Sequence, residues 1–280
     1  LGKHGVTSNY DPNCSEYTWQ LVQQLSTGKA IFTQPPMPIK CAGAPQKAMY
    51  LSSDYWRRKG VDARVHFFNQ GGAMFGIPTF AKALDDVVAD YGIQANFGHE
   101  LVAVDGPAKR AVFATAEGEV TQKFDMLHVV PAQSAPDFIK ASPLSGDAGW
   151  VTVDKHSLRH TQFDNVFALG DCTDTPNAKT AAAVRNQFPV VVAGLLEQLG
   201  GGEKPGSYDG YGACPLTTSK GKVLLAEFRY DGEITPSFPL DPRVPRRMNW
   251  VMKQHFFPWL YWNVMLAGRD WSKPAAKPRP

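Results

Sequence analysis

Between residues 30 and 97, short apolar runs alternate with stretches of helical spacing, and this alternation restricts the fold more than any other feature of the chain. Ala30-Ile31-Phe32-Thr33 reads as a buried strand, and residues 45 to 59 as a helix. Val65-His66-Phe67-Phe68 reads as a second strand, residues 78 to 91 as a second helix, and the segment from Ile93 to Phe97 as a third strand. Two strands joined through a helix are too far apart along the chain for a hairpin, so the pattern predicts a parallel sheet flanked by helices. A short helix over 15 to 26, stopped by Gly28, precedes it. The runs LVAVDG, AVFAT and FDMLHVV between 100 and 130, with turns at Asp105-Gly106 and Glu117-Gly118, predict an antiparallel meander.

Beyond Gly149 the pattern changes. Trp150–Val153 and Asn165–Leu169 read as strands, and an Ala-rich helix runs from about Lys179 to Leu199, ahead of a Gly200-Gly201-Gly202 linker. Several short strands are expected over 208 to 241, and the last 40 residues are rich in aromatics. With 280 residues, 43% hydrophobic and 20% charged, the chain can build one large or two medium cores and is not of disordered composition. A net charge of +3 is too mild for a nucleic-acid binder. Cys14, Cys41, Cys172 and Cys214 form no CxxC pair, and neither they nor the scattered histidines have metal-ligand spacing, so no metal is expected. The chain begins at Leu1 without a signal-peptide pattern, and its true beginning is expected upstream.

Cys41 stands at the mouth of the helix over 45 to 59, where a pyridine-nucleotide enzyme would carry glycines for a pyrophosphate. The turn before it is Gln34-Pro35-Pro36-Met37-Pro38, and proline has no N–H to offer a phosphate. This argues against an NADH:quinone reductase. A helix N-terminus and nearby cations such as Lys40 and Lys47 stabilise a thiolate, which marks Cys41 as reactive. Cys214 lies 173 residues further on, so any pairing of the two must be made by the fold. Cys14 and Cys172 are read as packing residues. In the run from Asn165 to Asp171, an apolar strand ends in Gly170-Asp171 and a helix opens about eight residues later at Lys179, Thr180 and Ala181. A carboxylate there suits ribityl hydroxyls, and a helix start offers N–H groups to a flavin's anionic parts.

KCAGAPQKAMYLS (40 to 52), DMLHVVPAQSAPD (125 to 137), GWVTVDKHSLRH (149 to 160), NVFALGDCTDTPNAKTAAAV (165 to 184), YDGYGACPL (208 to 216) and VLLAEFRY (223 to 230) carry a family resemblance. On these stretches the chain resembles the two-dinucleotide-binding-domain flavoproteins, and among them the eukaryotic-type sulfide:quinone oxidoreductases. The resemblance implies FAD, held with the help of Gly170, Asp171, Lys179, Thr180, Ala181, Pro45 and Lys47. It implies Cys41 and Cys214 as the redox pair, with hydrogen sulfide attacking the sulfur bridge, the persulfide on Cys214 and the Cys41 thiolate attacking the flavin. Electrons then pass to a membrane quinone, and a thiol, sulfite or cyanide takes the sulfane sulfur.

The glycine-rich GxGxxG unit that opens such proteins does not occur here. The expected fold class is therefore α/β with two Rossmann-like domains, the FAD domain incomplete at its N-terminus. By this reading, residues 1–28 are a remnant of the FAD domain, 29–140 the second dinucleotide-binding-like domain, 141–205 the rest of the FAD domain, and 206–280 a redox-cysteine and membrane segment. Phe256, Phe257, Trp259, Tyr261 and Trp262 are the quinone and membrane candidates, with Arg246, Arg247, Lys253 and Arg269 facing lipid phosphates. The alternative for this stretch is a helical hairpin packed on the body. The quinone places the protein at a mitochondrial inner membrane if eukaryotic, or a cytoplasmic membrane if bacterial. A non-catalytic protein of the same fold without FAD is the alternative from a different class.

Overall fold

In a computed structural model of the chain, residues 1–201 and 205–269 are described. Gly202 of the expected linker and the last residues of the 206–280 segment lie outside them. The expected parallel sheet has five strands in the order β1-β8-β2-β3-β4, formed by Val6–Thr7, Met126–His128, Thr27–Gln34, Asp62–Asn69 and Gln94–Phe97. Every neighbouring pair in it is parallel. Ala30, Ile31, Phe32 and Thr33 of β2 are all buried, as a central strand with both faces covered must be. On one face lie α1 (Ser15–Gln24), α2 (Ala44–Lys59) and α3 (Pro78–Tyr91). They pack Val22, Met49, Tyr50, Trp56, Phe80 and Leu84 against Phe32 and Phe67 in one core. Pro45 opens α2 and the left-handed Gly60 closes it after Arg57, Arg58 and Lys59, a chain-end pattern that suits the helix dipole.

The meander is a separate antiparallel sheet of β5 (Glu100–Asp105), β6 (Arg110–Thr115) and β7 (Gly118–Lys123). Its last expected run departs from the reading above. Met126–His128 pairs in parallel between β1 and β2, because Met126 and Leu127 are apolar enough to be buried on both sides of the large sheet. Through β1 and α1, residues 1–28 supply a strand and a helix to the same sheet and core as 29–140.

The strands expected at Trp150–Val153 and Asn165–Leu169 are reduced to isolated bridges, Val151 with Ser145 and Thr173, Val153 with His160, and Phe167 with Arg159. No longer strand of the described residues runs beside them, so no ladder propagates. The Ala-rich helix is α5 (Ala181–Gln198), capped by Thr180 Oγ1 accepting from Ala183 N–H. In place of several strands over 208 to 241 there is one hairpin, β9 (Gly212–Ser219) with β10 (Lys222–Phe228). It packs on α2 and shares the main core through Cys214, Leu216, Leu224 and Ala226. A short α4 (Asp137–Lys140) lies between the sheet and this region. The C-terminal stretch forms α6 (Arg247–Val251) and α7 (Phe257–Leu260), each followed by a π-helical turn, Met252–Phe256 and Tyr261–Met265. Among the described residues no helix is long and apolar enough to cross a membrane.

Candidate active site at Cys41 and Cys214

The loops that leave β1, β8 and β2 at their carboxyl ends meet in one place, the crevice where parallel α/β sheets hold their ligands. Lys40 and Cys41 follow β2, Tyr10 follows β1, and Gln133 follows β8. Cys41 N–H donates to the Lys179 carbonyl at 2.9 Å, which ties the cysteine loop to the segment entering α5. Ala44 N–H donates to the Cys41 carbonyl at 2.7 Å. Cys41 is in the left-handed region, at φ 53°. For a residue with a Cβ this costs of order 1–3 kcal/mol, so the surroundings must hold it there.

Cys214 reaches the same point from β9, where it pairs with Ala226 of β10. The meeting depends on Gly43. A Cβ at that position would fall 2.5 Å from Cys214 Sγ and 2.5 Å from Leu216 Cδ2, so any larger residue would force these side chains to shift where the hairpin closes onto the start of α2. The two thiols interact at close range, with opposite effects on each other. The interaction with Cys214, outweighing burial and aided by Lys47 and Lys253, draws the Cys41 thiol down to about 5. The interaction with Cys41, together with burial, pushes Cys214 well up. Cys41 is therefore the thiolate, and Cys214 keeps the proton.

Two ammonium groups surround the pair. Lys47, one helical turn into α2, places Nζ 3.2 Å from Cys41 Sγ. Burial disfavours its charge, but Cys214 and Cys41 outweigh burial and its pKa rises. Lys253 arrives from the π-helical turn after α6 and donates to the Pro215 carbonyl at 3.0 Å and to Thr217 Oγ1 at 2.6 Å. Burial and then Lys47 lower it to about 8. The expectation that Lys253 faces lipid phosphates is corrected here. Its ammonium finds hydrogen-bond acceptors and two sulfurs inside the fold, where a π-turn directs it.

The other expected residues fall as follows. Gly170 is left-handed at φ 76°, and its N–H donates to Gln187 Oε1 at 2.8 Å. Asp171 is exposed, close enough to Tyr10 to act on the phenol. Lys179 turns inward, with Nζ on the Thr173 carbonyl and 4.7 Å from the Trp150 ring centroid, so it brings its backbone rather than its charge to the site. Thr180 caps α5, Ala181 is exposed at its start, and Pro45 is buried at the start of α2. Phe256, Trp259, Tyr261 and Trp262 are exposed, Trp262 by 66%, and Phe257 is half-buried. Reasoning from sequence missed Tyr10, Gly43 and the inward Lys253. Gly43 alone left a signal, a small residue just before a helix that begins beside a cysteine.

No protein-family model matches the chain. It is 43% identical over 277 residues to the mitochondrial sulfide:quinone oxidoreductase of Dictyostelium discoideum, a match covering 98% of this chain and 61% of that protein. It is 41% identical over 275 residues to the mouse mitochondrial protein of the same name, covering 96% and 61%.

The chain is related to the mitochondrial sulfide:quinone oxidoreductases.

It spans about three-fifths of the length of these relatives. Solved structures show the shared fold. The sulfide:quinone oxidoreductase of Aquifex aeolicus superposes with a TM-score of 0.68 at 13% identity, over 92% of this chain and 64% of that one. A chain of the Tetrahymena thermophila mitochondrial ATP synthase does so with 0.72 at 17% identity, over 90% and 61%.

Proposed function

We propose that the protein carrying this chain oxidises hydrogen sulfide and delivers the electrons to a membrane quinone, with Cys41 and Cys214 as the sulfur relay and FAD as the electron carrier. The observation that supports this most is the meeting of two cysteines 173 residues apart, with one thiol held as thiolate between two half-buried ammonium groups. In the oxidised pair, hydrosulfide attacks the Cys214 sulfur of a Cys41–Cys214 bridge. The S–S bond breaks, its electron pair leaves on Cys41 as thiolate, and Cys214 gains a persulfide. Lys47 and Lys253 stabilise the leaving thiolate and draw the anionic substrate. A thiol, sulfite or cyanide then removes the outer sulfur from Cys214.

The residues present fit part of a flavin site. Asp171 is an exposed carboxylate after the left-handed Gly170, and the exposed start of α5 at Ala181 is joined through the Lys179 carbonyl to Cys41. When bound, FAD would accept two electrons from the thiolate side and release them to quinone. Gly170, Asp171, Thr180 and Ala181 would hold it beside Cys41. The exposed face of Phe256, Trp259, Tyr261 and Trp262 suits a bilayer interface, from which quinone would enter, and the mitochondrial relatives support a mitochondrial compartment.

The test is sulfide-dependent quinone reduction with FAD supplied. Cys41→Ser and Cys214→Ser, made separately, are each expected to abolish it, and full activity in either would overturn the relay. A flavin band near ~450 nm that never appears on adding FAD would favour the non-catalytic reading.

A further inference from the structure

Cys41 occupies a backbone region that residues other than glycine and asparagine rarely adopt, and one side chain from a distant loop is bonded to that backbone. Tyr10 Oη lies 2.7 Å from the Lys40 carbonyl and 3.2 Å from the Cys41 carbonyl, so its single proton is shared between them. The next strand's loop adds a second hold, with Lys40 N–H donating to Gln133 Oε1 at 2.8 Å. Burial, then Cys41, and further Cys214 and Asp171 all raise the phenol, far above the ordinary tyrosine range.

We propose that Tyr10 is a positioning residue for Cys41: its hydroxyl, bridging the Lys40 and Cys41 carbonyls, holds Cys41 left-handed and so keeps Sγ against Lys47 and Cys214. This deepens the reading of the thiol pair and rests on it. Without the hydroxyl, the two carbonyls lose their shared donor and nothing from the β1 side opposes relaxation of Cys41 to negative φ. The Cβ vector then turns and Sγ leaves Lys47 Nζ. The groups facing Cys41 are Lys47 from α2, Cys214 from β9, Lys253 from the C-terminal segment and Tyr10 itself, with Asp171 on the far side of the phenol. Tyr10 carries no charge to that set, so its effect on the thiol acts through geometry.

The experiment is the pH profile of Cys41 alkylation by iodoacetamide in the reduced protein, resolved by peptide mass, for the wild type and Tyr10→Phe. The expected result is an upward move of the midpoint, with the rate at pH 6 falling about tenfold as the thiolate fraction drops. An unchanged midpoint overturns the proposal, even if the melting temperature falls, because that outcome leaves Tyr10 a packing residue only. Alkylation of the buried Cys14, read from its own peptide in the same digests, reports unfolding, and the Cys41 rates are compared at pH values where Cys14 stays unmodified, so a partly destabilised variant still gives an answer. Neither flavin nor quinone enters the measurement. Failure of sulfide oxidation and failure of this proposal are therefore read separately.

Discussion

Lys47 Nζ lies 3.2 Å from Cys41 Sγ, and the two residues are six positions apart across the entry to α2. The Cys41 thiol is drawn down first by Cys214, against burial, and then by Lys47. The thiolate is thus present above about pH 5 and lost as pH falls through that value. In Lys47→Met the midpoint moves upward, and alkylation of Cys41 at pH 6 is expected to fall about tenfold with little change at pH 10. Equal rates across that range would remove Lys47 from the site's electrostatics.

Gly43 sits where the hairpin touches the start of α2. Gly43→Ala pushes a methyl group into Cys214 Sγ and Leu216, both buried. The expected cost is about 1–3 kcal/mol in denaturant unfolding, as for other overpacked contacts. Oxidation of the Cys41–Cys214 pair should also slow, read as loss of free thiols with time under mild oxidant. Wild-type stability and wild-type oxidation together would show that the hairpin does not close as described.

His128, at the end of β8, is fully buried and stacked on Phe32, with Nε2 accepting from Asn9 N–H at 3.0 Å. Burial lowers its pKa to about 4. Between about pH 6.5 and 4 the unfolded chain binds a proton that the folded one refuses, so stability falls as pH falls through that window. The loss attributable to this residue is about 2–3 kcal/mol. His128→Gln, compared with the wild type by urea unfolding at pH 7 and pH 4.5, should show a smaller drop. An identical drop would mean that other groups, such as the depressed His66, carry the acid sensitivity.

Trp259 and Trp262 are 52% and 66% exposed on the C-terminal segment. Replacing both with alanine is expected to weaken flotation with anionic vesicles about tenfold or more, given the apolar area that each ring would bury. Lys253→Gln, which faces inward, should leave flotation unchanged. Wild-type flotation of the double tryptophan variant would count against an interfacial role for this face.

The alternation of strand and helix from Ala30 to Phe97 was readable because its periodicities arise within each element, and α2 and α3 stand where the spacing places them. The resemblance pointed to both Cys41 and Cys214. Trp150–Val153 and Asn165–Leu169 have strand composition but lack ladders, because a strand exists only by pairing with a neighbour and local sequence says nothing of that neighbour. Met126–His128 misled for the same reason. Its run resembles a meander strand, yet its partners are β1 and β2, about a hundred residues earlier.

By itself, then, the sequence determined the parallel α/β class, the reactive setting of Cys41 at a helix start and the aromatic character of the C-terminal segment, all properties of neighbouring residues. Tertiary structure alone decided that Cys214 meets Cys41, that Lys253 turns inward and that Tyr10 holds the Cys41 loop. Each of these contacts joins segments distant in the chain. Which thiol carries the charge depends on distances to hydrogen-bond donors and ammonium groups, and only the closed hairpin and the converging strand ends set those distances.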